Sequence, residues 1–330
     1  TCAEGYSFDP ALYANNNPGL LDFLNELKTE VLSQYDVMTV GETVEVTPEI
    51  AIQYVNEENG PINMVFHFQI TNLKEKFTWQ KFKKVQRAWI HTFSEQNGWN
   101  SQYLQNHDQP RCVSIYGDAE NFRVVSAKML ATMLHTLPGT PYVYQGEEIG
   151  MTNTDFPSID LFDDINAKFS YNELLLSGKS KEAALEELNR YSRDHARTPM
   201  QWSNEKGAGF TTGTPWLMIN PNYKEINVEE AEKDPNSIFH YYQQLIQLRK
   251  EHKVFVYGDF TEYFQDSDSV YIYTRSFEEE TIGVLLNLTG KEQEIVVPFA
   301  MGKKIIIGNY LHHKEGSTVT LHPYEAIVCL

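Results

Sequence analysis

Short apolar runs alternating with amphipathic helical segments, continuing as far as residue 251, constrain this chain more than any other feature. Residues 18–35 put apolar side chains at 20, 21, 24, 27, 31 and 32, the spacing of one helical face, with Pro18 near the start. The run 36–42 behind it is short, apolar and closed by Gly41 and Glu42, as a buried parallel strand is when its polar end faces a site. The pattern recurs as strand 63–68, helix 79–93, strand 102–106, helix 122–136 and strand 142–145. Such alternation predicts a parallel α/β architecture.

Two connections are long. Residues 150–202 hold a polar loop and a helical stretch near 179–191, and residues 203–234, rich in Gly, Pro, Asn and Thr, read as an ordered irregular excursion. After a helix at 236–251 the texture changes to short strands at 254–264, 269–276, 281–288, 294–297, 303–310 and 319–330, which predict an antiparallel β-sandwich. The expected boundary lies near 252, giving an α/β domain over 1–251 and a sandwich over 252–330.

Charge narrows the partners. With 27 Lys and Arg against 45 Asp and Glu the chain carries −18, which repels polyanions and anionic headgroups, so neither nucleic acid nor a membrane surface is expected as partner. No apolar run nears the ~18 residues a bilayer span requires. The cysteines at 2, 112 and 329 match no zinc spacing and build no disulfide framework, which fits a reducing, cytoplasmic compartment.

Acidic residues close several strand-like runs: Glu42, then Asp108 within Asn106-His107-Asp108, then Glu147-Glu148. Barrel enzymes place catalytic groups at such strand ends, where the strand fixes the side chain and the loop shapes the pocket. Cleaving a glycosidic bond takes one protonated carboxyl for the leaving oxygen and one carboxylate for the oxocarbenium-like centre. Glu42 and Asp108 suit those tasks.

Four stretches carry a resemblance: residues 38–42, Met-Thr-Val-Gly-Glu; 105–111, Gln-Asn-His-Asp-Gln-Pro-Arg; 139–151, from Gly-Thr-Pro-Tyr to Glu-Glu-Ile-Gly-Met; and 193–202, Arg-Asp-His-Ala-Arg-Thr-Pro-Met-Gln-Trp. Together they resemble the α-amylase superfamily, and within it the oligo-1,6-glucosidase and α-glucosidase branch. The likeness runs nearly end to end, through residues 220–227 and 321–326. It implies an α/β fold made of the C-terminal half of a (β/α)8 barrel, from about the fifth strand to the eighth helix with an excursion at 150–234, followed by the β-sandwich.

The resemblance also implies roles. Glu42 matches the general acid/base and Asp108 the carboxylate that grips sugar hydroxyls; His107, Gln109, Arg193 and Arg197 match residues around the glucose. It implies no cofactor and no metal. Arg111 stands open between a sugar-site residue and a structural partner of a loop acid. Glu147 and Glu148 read as loop braces, and His91 and His135 as surface or boundary histidines on helices.

The family's nucleophile, an Asp in a Gly-Phe-Arg-x-Asp-Val-like motif before the acid, has no counterpart here, and Asp9, Asp22 and Asp36 do not fit it. The chain opens at Thr1 and is expected to be the trailing part of a larger enzyme whose missing partner is the first half of the barrel. In the complete enzyme that Asp would attack the anomeric carbon while Glu42 protonates the leaving oxygen, and Glu42 would then activate water, with retention. Burial and nearby carboxylates are expected to raise the proton affinity of Glu42. The implied substrates are gluco-oligosaccharides with terminal α-1,6 or α-1,4 bonds, such as isomaltose. A phosphotrehalose hydrolase and a non-catalytic binding relative are the alternatives.

Overall fold

The computed structural model describes residues 17, 19–299, 304–311 and 318–330. Pro18, Cys2, Asp9 and residue 303 of the expected strand lie outside them. The chain forms two compact units, residues 1–102 with 138–140, and residues 103–137 with 141–330. The expected boundary near 252 falls inside the second unit.

In the first unit, helix α1 (Leu20–Glu30) is followed by strand β1 (Val40–Thr43), helix α2 (Pro48–Val55), strand β2 (Met64–His67), helix α3 (Trp79–Glu95) and the two-residue strand β3 (Ser101–Gln102). β1 and β2 pair in parallel, Glu42 opposite Phe66, as the α/β reading requires. A core of Val46, Ala51, Ile52, Val55, Val65, Trp89 and Phe93 joins α2, β2 and α3, because their apolar residues recur at helical and strand spacing. Two strands are shorter than expected. Residues 36–39 remain outside β1, and the run 102–106 extends only over β3, since Asn106 turns the chain by accepting the Asp108 amide on Oδ1 at 2.8 Å.

The second unit contains α4 (Cys112–Tyr116), α5 (Arg123–Thr136), α6 (Ile165–Leu176), α7 (Lys181–Tyr191), the short α8 (Asp194–Arg197), α9 (Val228–Lys233), α10 (Ile238–Glu251) and α11 (Val254–Tyr257). α5 is buried from Ser126 to Thr136, so it lacks a polar face. His135 is therefore buried rather than at a boundary: its Nδ1 lies 2.8 Å from the Ala131 carbonyl, and burial pushes its pKa down to about 4. His91, by contrast, is exposed. The strand expected at 142–145 is absent. The two-residue β4 (Thr140–Pro141) precedes it, and the Glu147 amide closes a turn on the Tyr144 carbonyl.

The trailing strands are β5 (Asp259–Tyr263), β6 (Val270–Phe277), β7 (Glu280–Asn287), β8 (Gln293–Val296), β9 (Ile305–Gly308), β10 (Thr318–Leu321) and β11 (Ala326–Cys329). They form an antiparallel five-stranded sheet in the order β5-β6-β7-β11-β9 and a second ladder, β10-β8. Ile272, Leu285, Ile295, Val319, Leu321 and Ile327 from both sheets share one core, which makes this a sandwich. Two sequence expectations need correction. Residues 254–257 are helical: the Tyr257 and Gly258 amides close the turn on the Lys253 and Val254 carbonyls, and Arg249 and Arg275 take up the Phe255 carbonyl at 2.7 and 3.3 Å. The run 319–330 is broken at Pro323 and at Tyr324, whose φ of 53° is left-handed. Among the described residues no helix is long and apolar enough to cross a membrane.

Candidate active site

The turn 105–111 is built by its own side chains. Gln105 Oε1 accepts the Cys112 amide at 2.6 Å, Asn106 accepts that of Asp108, and Asn153 Oδ1 accepts that of Arg111 at 2.9 Å. Asp108 emerges half-buried. Arg193 and Arg197 sit four residues apart at the start and end of α8, on one helical face, so both reach it. Arg193 Nη1 donates to Asp108 Oδ1 at 3.1 Å and Arg197 Nη2 to the same oxygen at 2.5 Å, while His107 Nε2 lies 3.5 Å from Oδ2. Arg197 Nε also donates to the His107 carbonyl at 3.0 Å. Asp108, His107, Arg193 and Arg197 thus form one cluster.

Two acids to which the sequence reading gave no role support it. Asp164 takes a two-pronged hold from Arg193, Nε to Oδ2 at 2.7 Å and Nη2 to Oδ1 at 2.8 Å. Burial pushes the Asp164 pKa up, but the Arg193 hydrogen bonds and the Asn166 amide outweigh it and hold it below the usual aspartate value; Asp164 in turn raises that of Arg193. Asp194 Oδ2 accepts the amides of Asp163 and Asp164 at 2.9 and 3.0 Å and so fixes the turn that presents Asp164. The available signal was the position of Asp164 immediately before α6, where it caps the helix by accepting from Asn166.

Arg111 resolves to neither expected role. It is fully buried and donates to main-chain carbonyls, Nε to His195 at 3.0 Å, Nη1 to Gln145 at 2.7 Å and Nη2 to Ala196 at 3.3 Å, with burial lowering its pKa to about 10. It pins residues 195–196 to residue 145. Glu147 is a brace, as expected: buried, it accepts from Tyr242 Oη at 2.8 Å, and burial pushes its pKa up to about 7. Glu148 accepts the Gly146 amide at 2.8 Å.

Beside the cluster lies a cavity of about 350 Å³, within the range of small-molecule sites. Its polar wall includes His107, Arg197, Asp163 and Asp194, and its apolar wall includes Phe210 and Trp216. Gln109 is half-buried in the same turn, and among the described residues no hydrogen bond joins its side chain to the cluster. Glu42 belongs to the first unit, on β1, and is exposed. The burial expected for it is not provided by the described residues, because β1 pairs with one strand alone.

Comparison with known proteins identifies the family. The model of the α-amylase catalytic domain matches residues 3–258. The chain is 45% identical to the oligo-1,6-glucosidase of Parageobacillus thermoglucosidasius, over 96% of its own length and 59% of that protein. It is 37% identical to the trehalose-6-phosphate hydrolase of Bacillus subtilis strain 168, over 97% of its length and 60% of that protein. Among solved structures, the trehalose-6-phosphate hydrolase of Bacillus licheniformis superposes with a TM-score of 0.92 at 41% identity, covering 98% of this chain and 61% of that one. The chain therefore spans about 60% of the length of these relatives. On the family model, these identities and the shared architecture, the chain belongs to the α-amylase family.

Proposed function

We propose that a protein containing this chain is a retaining α-glucosidase that removes terminal α-1,6- or α-1,4-linked glucose from short gluco-oligosaccharides such as isomaltose. The observation that carries this reading is Asp108, which accepts from both Arg193 and Arg197 beside a cavity of small-molecule size. A carboxylate oriented by two guanidiniums is suited to accept sugar hydroxyls and to face positive charge at the anomeric centre. The relatives named as oligo-1,6-glucosidases support the α-1,6 preference.

Within this reading Glu42 is the general acid/base, Asp108 the stabiliser, and His107, Gln109, Arg193 and Arg197 the glucose ligands. The nucleophile is an aspartate that this chain does not supply. The strand edge of β1 left unpaired among the described residues, with Val37, Met38, Val40 and Val44 exposed beside it, supports a preceding barrel segment as the partner. The α/β domain ends near 251 and the sandwich follows.

The test measures glucose release from isomaltose. The chain alone is expected to release none, and a complete protein carrying the upstream aspartate to turn it over. Glu42→Gln in the complete protein should cripple that turnover yet spare a substrate with a very good leaving group, since such a group departs without a proton. Unchanged turnover of isomaltose by Glu42→Gln, or hydrolysis of trehalose 6-phosphate in preference to isomaltose, would overturn the reading.

A further inference from the structure

We propose that Gln69 is a positioning residue for Glu42: it clamps the loop by which the chain leaves β1, and so fixes where the Glu42 carboxyl stands relative to a leaving oxygen. This rests on the reading of Glu42 as general acid/base and adds a residue that acts on it through the main chain.

Glu42 lies within a short segment fastened at both ends. β1 pairs with β2 alone among the described residues, so its four-residue register needs support from outside the ladder. At the leading end Asn63 Oδ1 accepts the Thr39 amide at 2.8 Å and the Thr39 hydroxyl at 2.9 Å. At the trailing end Gln69 Nε2 donates to the Val46 carbonyl at 3.1 Å. Asn63 immediately precedes β2 and Gln69 follows it by two residues, so both fastenings hang on the strand that β1 pairs with.

The trailing clamp restrains a strained turn. Glu45 has a left-handed φ of 59°, a conformation that a residue with a Cβ keeps only where its surroundings impose it. Val46 is fully buried in the core with Val65 and Trp89, and the Thr47 carbonyl accepts the Ile50 and Ala51 amides of α2 at 3.1 and 2.8 Å. Between these two anchors the Val46 carbonyl meets Gln69.

The chemistry at both ends of the side chain selects glutamine. The Trp89 indole N–H, a donor only, gives its hydrogen to Gln69 Oε1 at 2.9 Å, and the Val46 carbonyl, an acceptor only, takes one from Nε2. An amide supplies acceptor and donor in one rigid plane; a carboxylate lacks the donor, and an aliphatic side chain lacks both. Trp89 is itself immobilised in α3, buried, with its ring stacked on His67 at 3.9 Å and 12° between planes, and against Phe93 at 5.2 Å. His67 closes β2 opposite Thr43, the residue after Glu42. A line of contacts therefore runs from α3 through Trp89, Gln69 and Val46 to the exit of β1, all within the first unit. A general acid works only within hydrogen-bond reach of the oxygen it protonates, so a displaced strand end is felt in bond cleavage.

Gln69→Glu isolates the bond that matters, because its carboxylate keeps the acceptor for Trp89 and loses the donor for Val46; Gln69→Leu removes both. In the full chain, hydrogen exchange of the amides at 44–47 should speed up about tenfold or more in each variant. Gln53→Ala, which removes an exposed side-chain bond within α2, should leave it unchanged. A complete protein carrying Gln69→Glu should lose about tenfold or more in kcat/KM for isomaltose, but less than about threefold for an aryl α-glucoside whose phenolate departs without a proton. A change that only loosened the fold would lower both alike. Circular dichroism establishes that each variant is folded; if Gln69→Leu does not fold, Gln69→Glu decides. Unchanged exchange at 44–47 in the folded variants, or equal losses on the two substrates, would overturn the proposal. Turnover of isomaltose by Glu42→Gln at the wild-type rate would instead sink the general-acid reading, and the exchange measurement on the chain would still report the clamp.

Discussion

Arg193 grips Asp164 through two parallel hydrogen bonds of 2.7 and 2.8 Å, which leaves Nη1 to meet Asp108. One guanidinium therefore bridges two carboxylates, gripping Asp164 at two points and Asp108 at one. Because Asp164 is nearly buried, removing its charge loosens Arg193 without touching Asp108 directly.

Asp164→Asn should lower stability by about 1–2 kcal/mol, the worth of charge-assisted hydrogen bonds discounted for the partial exposure of Arg193. Urea unfolding of the chain measures it. In a complete protein the same change should raise KM for isomaltose more than Asn166→Ala does, since Asn166 meets Asp164 only through its main-chain amide.

Arg111→Met should cost roughly 3 kcal/mol or more, because three main-chain carbonyls lose their donors inside the protein. Arg111→Lys should recover only part, as an ammonium cannot reproduce the fork. Thermal unfolding of the three proteins gives the order wild type, Lys, Met. A variant with Met as stable as wild type would contradict the pin.

Glu147 binds its proton more tightly folded, at about 7, than the ordinary 4.5. Its contribution is full below about 4.5 and is lost as pH rises through 7, so Glu147→Gln should gain stability relative to wild type over that interval. His135 and His195 act in the opposite sense. Both are pushed down to about 4 by burial, so the stability they permit is full above 6.5 and is lost as pH falls through 4. Melting temperatures of wild type and Glu147→Gln from pH 4.5 to 7.5 should diverge upward with pH; parallel curves would refute the assignment.

Cys112 and Cys329 are buried, and burial raises the Cys112 thiol well above its usual value. Both should resist a thiol reagent in the folded chain and react on addition of denaturant. Fast modification of either, identified by mass spectrometry of peptides, would show that the second unit opens locally.

Much of this was legible in the residues. The apolar spacing gave α3 and α10 nearly to their ends, and the alternating runs gave β6 and β7, because a periodic face has to meet a core wherever it lies. The 193–202 motif brought Arg193 and Arg197 to Asp108 because a four-residue step on a helix is a contact. What stayed hidden was set by distant partners. Residues 254–257 look like a strand, yet they close a helical turn whose Phe255 and Val256 carbonyls are taken up by the distant guanidiniums of Arg249 and Arg275. Asp164 looked like one acid among many until Arg193, 29 positions onward, selected it. His135 lay on a helix with no polar face, which the sequence showed only as a mixed pattern.

Arg111 addresses the carbonyls of residues 145, 195 and 196, atoms that every amino acid carries, together with the Thr198 hydroxyl at 3.5 Å. Its hold is therefore largely blind to what side chains stand at those three places. Of the three only Gln145 lines the cavity, so its side chain can change there while Arg111 keeps its grip on the same carbonyl and the two arginines of α8 keep their bearing.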